Sequence, residues 1–155
     1  KVVDFDGKTL GKKVQIHSLK VPANTSQCVY RINIDGWLTP EECQRCFLQL
    51  ILKDKSGHPV AEAVHFFKKT KDLQLPPASV SYKMKQTDGK CELTLFSSTL
   101  AKDLFIEIPL QGARYSDNFF DLLPGERKKV IITSPQIKKG EEFSVNIKHI
   151  RETYK

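Results

Sequence analysis

The sequence predicts an all-β protein of two consecutive β-sandwiches, residues 1–77 and 78–155, the first short of strands. Three observations carry that prediction. Apolar residues recur at period two in nine short runs, as extended chain with one buried and one wet face requires. Turn residues rich in Gly and Asp separate the runs. Between the halves, Leu75-Pro76-Pro77-Ala78 places two residues that cannot donate ladder hydrogen bonds, which fits a short, stiff hinge.

In chain order, Lys1–Phe5 reads as a further short strand and Val14–Lys20, Cys28–Ile34, Cys46–Leu52 and Val60–Phe67 as clear ones. Val80–Met84, Cys91–Phe96, Leu104–Leu110, Val130–Thr133 and Phe143–Ile150 follow, the last with nearly unbroken alternation. Asp6-Gly7, Lys55-Ser56-Gly57, Thr87-Asp88-Gly89, Leu123-Pro124-Gly125 and Lys139-Gly140 supply the reversals. Thr39-Pro40-Glu41-Glu42 combines an N-cap residue, Pro at the first helical position and early acids. Strand-like Cys46-Phe47-Leu48-Gln49-Leu50 follows so soon that only one helical turn fits. Four or five strands make an incomplete first sandwich. Its apolar face and open edges call for cover from outside the chain.

The chain has 155 residues, 39% hydrophobic and 28% charged, the balance of a globular rather than a disordered protein. It contains no run of the ~20 apolar residues that span a bilayer, so no membrane partner is expected. Lys1–Asp6 has neither an apolar leader core nor an initiator Met, as expected of a mature, cleaved or excised chain. The net charge of +7, from 25 Lys+Arg against 18 Asp+Glu, is shared evenly by the two halves. Lys68-Lys69-Thr70-Lys71, Arg127-Lys128-Lys129 and Lys138-Lys139 each adjoin a strand or turn, where lysines protect sheet edges. No nucleic-acid motif accompanies them, so no nucleic-acid partner is expected.

Catalytic patterns are missing: there is no Gly-x-Ser-x-Gly, no phosphate-cradling Gly loop and no His-Glu-x-x-His. Cys43-Gln44-Arg45-Cys46 has metal-knuckle spacing, but zinc needs two further ligands and no second such pair follows. Cys28 and Cys91 sit in strand patterns, as small buried hydrophobes do. His17, His58, His65 and His149 are scattered over separate elements. The expectation is no catalytic residue, no metal and no cofactor. Trp37, after Asp35-Gly36, offers a sugar-stacking face or, more simply, a plug for the sandwich base or an interdomain contact; Tyr115 is a second stacking candidate. The densest cluster is Tyr115-Ser116-Asp117-Asn118-Phe119-Phe120-Asp121-Leu122-Leu123-Pro124-Gly125-Glu126. As a binding loop it would offer Asp117, Asn118 and Asp121 oxygens with Phe119 and Phe120 as faces. As a strand corner, Asp117 or Asn118 bonds local amides, both Phe rings anchor the core, and Pro124-Gly125 reverses the chain. Calcium wants six or more oxygens, more than this segment supplies, which favours the corner.

Ser116 to Glu126 resembles the S-D-N-x-F-D-L-x-P-G-E stretch near the C-terminus of β-mannosidases of glycoside hydrolase family 2. Asp4-Phe5-Asp6-Gly7-Lys8, Val21-Pro22-Ala23-Asn24-Thr25-Ser26 and Lys53-Asp54-Lys55-Ser56-Gly57 are similar to landmarks of the immunoglobulin-like domain before it. Phe66-Phe67-Lys68-Lys69-Thr70-Lys71-Asp72-Leu73 and Phe143 to Tyr154 extend the likeness to the chain end. The resemblance implies two immunoglobulin-like sandwiches, the first N-terminally truncated, from an enzyme that removes terminal β-D-mannose. It places the catalytic glutamates in a TIM barrel outside this chain, so Ser116, Asp117, Asn118, Phe119, Phe120, Asp121, Pro124 and Gly125 carry over as structural residues. Implied partners are the other domains of that enzyme, with a homodimer or strand exchange covering the open face. The implied compartment is periplasmic or secreted in a bacterium and lysosomal in a eukaryote. The competing expectation is an autonomous carbohydrate-binding module with Trp37, Tyr115 or the Phe119/Phe120 pair as platform.

Overall fold

The computed structural model describes residues 1–11, 13–34 and 36–154, and their regular elements are β-strands and short 3-10 turns. The chain forms two compact units: Lys1–Asp4 with Lys8–Gln74, and Phe5–Gly7 with the chain from Leu75 onward. Leu75-Pro76-Pro77-Ala78 therefore belongs to the second unit, where Leu75 is buried and its carbonyl accepts a hydrogen bond from Arg151 Nε (3.2 Å).

The first unit is one antiparallel sheet of β1 (Val2–Asp4), β2 (Thr9–Leu10), β3 (Cys46–Lys53) and β4 (Pro59–Phe66), ordered β2-β1-β3-β4. The β3–β4 hairpin closes on Asp54, whose Oδ1 accepts from the Ser56 and His58 amides at 2.8 and 2.9 Å. Ahead of β3, the Thr39 hydroxyl accepts from the Glu42 amide (3.2 Å) while Glu42 Oε2 accepts from the Thr39 amide (2.7 Å). This reciprocal cap starts a single 3-10 turn, Glu42–Gln44, which β3 cuts short. Val2, Val3, Cys46 and Phe47 are buried, but Leu50, Ile51, Leu52 and Val60 are 43–59% exposed, so one end of the sheet is dry and the other open.

Two expected strands are corrected. Val14–Lys20 and Cys28–Ile34 form no ladder; Val14, Ile16, Leu19, Val29 and Tyr30 stay 38–49% exposed. Ser18 and Asn24 take φ of +60° and +58°, which turns the backbone out of the extended region. Alternation is necessary for a strand, but a neighbouring edge in register is what fixes one. Cys28, expected to be buried, is exposed, its thiol donating to the Tyr30 carbonyl at 3.4 Å.

The second unit is a sandwich. β5 (Ser81–Thr87), β6 (Lys90–Phe96), β10 (Arg127–Thr133) and β8 (Arg114–Tyr115) form one sheet in the order β5-β6-β10-β8. β7 (Ala101–Glu107), β9 (Phe120–Leu122) and β11 (Asn146–Lys148) form the other, ordered β11-β7-β9. Cys91, Leu93 and Leu95 from β6 and Val130 and Ile132 from β10 meet Ala101, Leu104 and Ile106 of β7 and Leu122 of β9 in one core. The run expected to span Phe143–Ile150 is a strand only over Asn146–Lys148. His149 leaves the ladder because its amide donates to Glu152 Oε2 (3.3 Å), capping the 3-10 turn Ile150–Thr153.

Candidate functional site

The clustered residues at 115–125 lie where β8 passes to β9 beside β7. β7 itself is irregular. Its pairing with β9 shifts between Ala101 and Leu104, and Asp103 sits there at φ +50°, a bulge that buries Ala101 and Lys102 together. The Lys102 ammonium, nearly enclosed, meets Asp103 Oδ1 at 3.1 Å and Asp121 Oδ1 at 3.4 Å. Asp121 Oδ1 also accepts from the Asp103 amide (3.0 Å), so one carboxylate both neutralises the cation and stitches the bulge to β9.

Asn118 does the same for the other end of β7. Its Oδ1 accepts from the Ile106 amide at 2.8 Å and its Nδ2 donates to the Ile106 carbonyl at 2.9 Å, so the side chain imitates a paired strand residue. The same Oδ1 accepts from the Phe119 amide (3.1 Å), which fixes Phe119 at φ +58°. The Ser116 hydroxyl accepts from the Ile131 amide at 2.9 Å, and the Tyr115 hydroxyl accepts from the Ile108 amide at 3.1 Å. Asp117 pairs with Lys128 at 2.6 Å, and the same ammonium lies 4.3 Å from the centre of the Phe120 ring. Gly125 at φ +75° donates to the Ser97 carbonyl (2.9 Å), and a Cβ on Gly7 would stand 3.0 Å from Pro124 Cβ. That close approach, with φ +88° at Gly7, is why the Asp6-Gly7 turn needs glycine.

The expectation that both Phe rings anchor the core holds for Phe120, which packs partly buried against it. It fails for Phe119, which is 70% exposed and stacks on Phe105 with centroids 4.9 Å apart. The left-handed backbone aims the ring outward, an orientation that residue type and period do not encode. Tyr115 is half-buried and spends its hydroxyl inward; Trp37 is half-buried in a turn, its amide bonded to the Ile34 carbonyl (2.9 Å). Neither lines either of two grooves in the second unit. One of about 360 Å³ is lined by Gly89, Gly112, Arg114, Thr133, Ser134 and Pro135, and one of about 250 Å³ by Ser81, Tyr82, Lys83, Thr94, Phe96 and Arg127. Both carry cationic side chains and neither carries a carboxylate.

Sequence reasoning missed Lys102, Asp103 and Phe105. The available signal was the adjacent Ala101-Lys102-Asp103 ahead of an apolar run, since a Lys beside a small buried residue needs an acid, which Asp121 supplies. Among the described residues no group of three His, Cys, Asp or Glu side chains is placed to hold a metal ion. Cys46 is fully buried, and burial, reinforced by Cys43, Glu42 and Asp4, pushes its thiol from 9.0 up to about 12. A redox or ligand thiol is shifted the other way. No helix of the described residues is long and apolar enough to cross a membrane.

Comparison with known proteins gives two family matches, to an Ig-fold domain of mannosidases over residues 75–153 and to a mannosidase Ig/CBM-like domain over residues 1–72. Among solved structures, a β-D-mannosidase from Dictyoglomus thermophilum matches with a TM-score of 0.72 at 23% identity, covering 97% of this chain. The chain spans 18% of the length of that one. None of the curated proteins matches.

Proposed function

The chain belongs to the Ig-like domains of mannosidases, and from that premise we propose that it is a non-catalytic β-sandwich region of a β-mannosidase, a scaffold that packs on the enzyme's other domains. The parent in this reading is a retaining enzyme of glycoside hydrolase family 2 acting on terminal β-D-mannose. The observation that carries the reading is how the polar cluster is spent. Asp121 and Asp103 converge on one ammonium, Asp117 on another, and Asn118 on the backbone of β7. Retaining hydrolysis needs two carboxyl groups about 5–5.5 Å apart and open to a glycosidic bond. Carboxylates held on Lys102 and Lys128 serve the fold instead.

The test is hydrolysis of an aryl β-mannoside by the 155-residue chain and by the full-length protein that carries it. The expected result is turnover by the longer protein alone; turnover by the chain itself would overturn the proposal. Titration with mannooligosaccharides, read by Trp37 fluorescence, separates a scaffold from a carbohydrate-binding module, since stacking on that ring would quench or shift it. The exposed Leu50 and Leu52 on β3 and Val60 on the edge strand β4 extend the reading to the chain on its own. Released from its parent, it pairs with a second copy by dimer formation or strand exchange. A strictly monomeric species in sedimentation would count against that.

A further inference from the structure

Phe119 is the residue the fold explains least. An aromatic side chain in the left-handed region is an outlier, and here three hydrogen bonds of Asn118 hold it there. Yet the ring gains little burial from this chain, being 70% exposed while stacked on Phe105. Strain fixed by a rigid frame and unrewarded inside the molecule points to contact outside it. We infer that the Phe119 ring, backed by Phe105, is an aromatic anchor that seats in an apolar pocket on another part of the same, longer polypeptide.

The chemistry around the ring selects that occupant. A sugar needs polar groups converging on its hydroxyls as well as a stacking face. Here Asn118 is spent on Ile106, Asp121 on Lys102 and the Asp103 amide, and Asn146 on Glu107 Oε2 (3.3 Å). Lys148 stands opposite Phe105 in the ladder. A satisfied polar rim around a rigid aromatic is instead the anatomy of a protein-docking hot spot. The patch is two rings wide, far below the ~1,000 Å² that a stable contact between separate chains requires. A tethered partner needs much less, because the link supplies an effective concentration in the millimolar range. The matched β-mannosidase has most of its chain outside the region this one covers, which supplies such a tether.

This inference rests on the scaffold reading above, and its test is built to fail separately. Phe119→Ala and Phe119→Leu are made both in the 155-residue chain and in the full-length protein, and thermal unfolding is followed in each. The expected result is that F119A lowers the midpoint of the full-length protein by at least about 3 °C more than that of the short chain, with F119L in between. Equal shifts in the two contexts would mean that the ring serves only its stack on Phe105, and would overturn the inference. So would no shift in the full-length protein, or a loss of retention on immobilised mannooligosaccharide by F119A. If the full-length protein lacks β-mannosidase activity, the scaffold reading falls while the comparison of midpoints still decides the anchor.

Discussion

At the scale of single residues, Asn118 has more bonds than its half-buried position suggests. Replacing it with Ala removes both bonds to Ile106, leaves a buried amide and carbonyl of β7 without partners, and frees Phe119. Each such loss costs about 1 kcal/mol or more, so Asn118→Ala is expected to lower unfolding stability by about 2–3 kcal/mol, read as an earlier urea midpoint. Asn118→Asp keeps the acceptor but sets a carboxylate oxygen against the Ile106 carbonyl, and is expected to be no better. The thiols make a second case. Cys46 is raised to about 12 and Cys91 is raised as well, in both by burial first. A thiol whose folded value exceeds its unfolded one holds its proton more tightly when folded. Its contribution is intact below about pH 9 and lost as pH climbs toward 12. The thiols' share of stability should therefore be level through neutral pH and fall above about 9, with Cys46→Ala removing part of that alkaline slope. Alkylation of the native chain followed by mass analysis should label exposed Cys28 and spare Cys46 and Cys91 until the chain unfolds.

At the scale of elements, the bulge in β7 decides how the corner works. One extra residue at Asp103 turns Lys102 toward the interior, and the ammonium is tolerated there because two carboxylates reach it. Asp121→Ala takes away the acceptor of the bulge amide as well as half of the neutralising charge. The expected cost is about 2–3 kcal/mol by denaturant titration, insensitive to salt because the pair is mostly enclosed. Elements also show what was legible beforehand. β6 and β10 are readable because Cys91-Leu93-Leu95 and Val130-Ile132 alternate and find partners on both sides. The Thr39 cap is readable because its chemistry is local. Val14–Lys20 and Cys28–Ile34 alternate equally well, yet pairing is a non-local event that no window of sequence contains. The corner's polar residues could be picked out as a cluster and as backbone binders. Their targets, Ile106, Asp103 and Ile131, depend on the sandwich and could not be named, nor could the outward turn of Phe119, which a single backbone angle sets.

At the scale of the molecule, the two units differ in how fully each closes on itself. The second encloses Leu93, Leu95, Leu104, Ile106, Ile132 and Ile137 between two sheets, all at 0% exposure. The first has one sheet, and the outer half of its longest hairpin leaves Leu50, Leu52 and Val60 about half exposed or more. Local stability follows buried apolar contact, so opening should be graded along the chain rather than all-or-none. Hydrogen exchange read by mass spectrometry should find the β6, β7 and β10 amides slowest. The outer part of β3–β4, near Asp54 to His58, should exchange orders of magnitude faster and the inner part near Cys46 and Phe47 in between. Uniform protection across both units would mean that β3–β4 is covered in solution, and sedimentation of the same sample would then show whether a second copy covers it. In the full-length protein the same hairpin should gain protection while β6 and β10 do not change, because only the former has apolar surface left to bury.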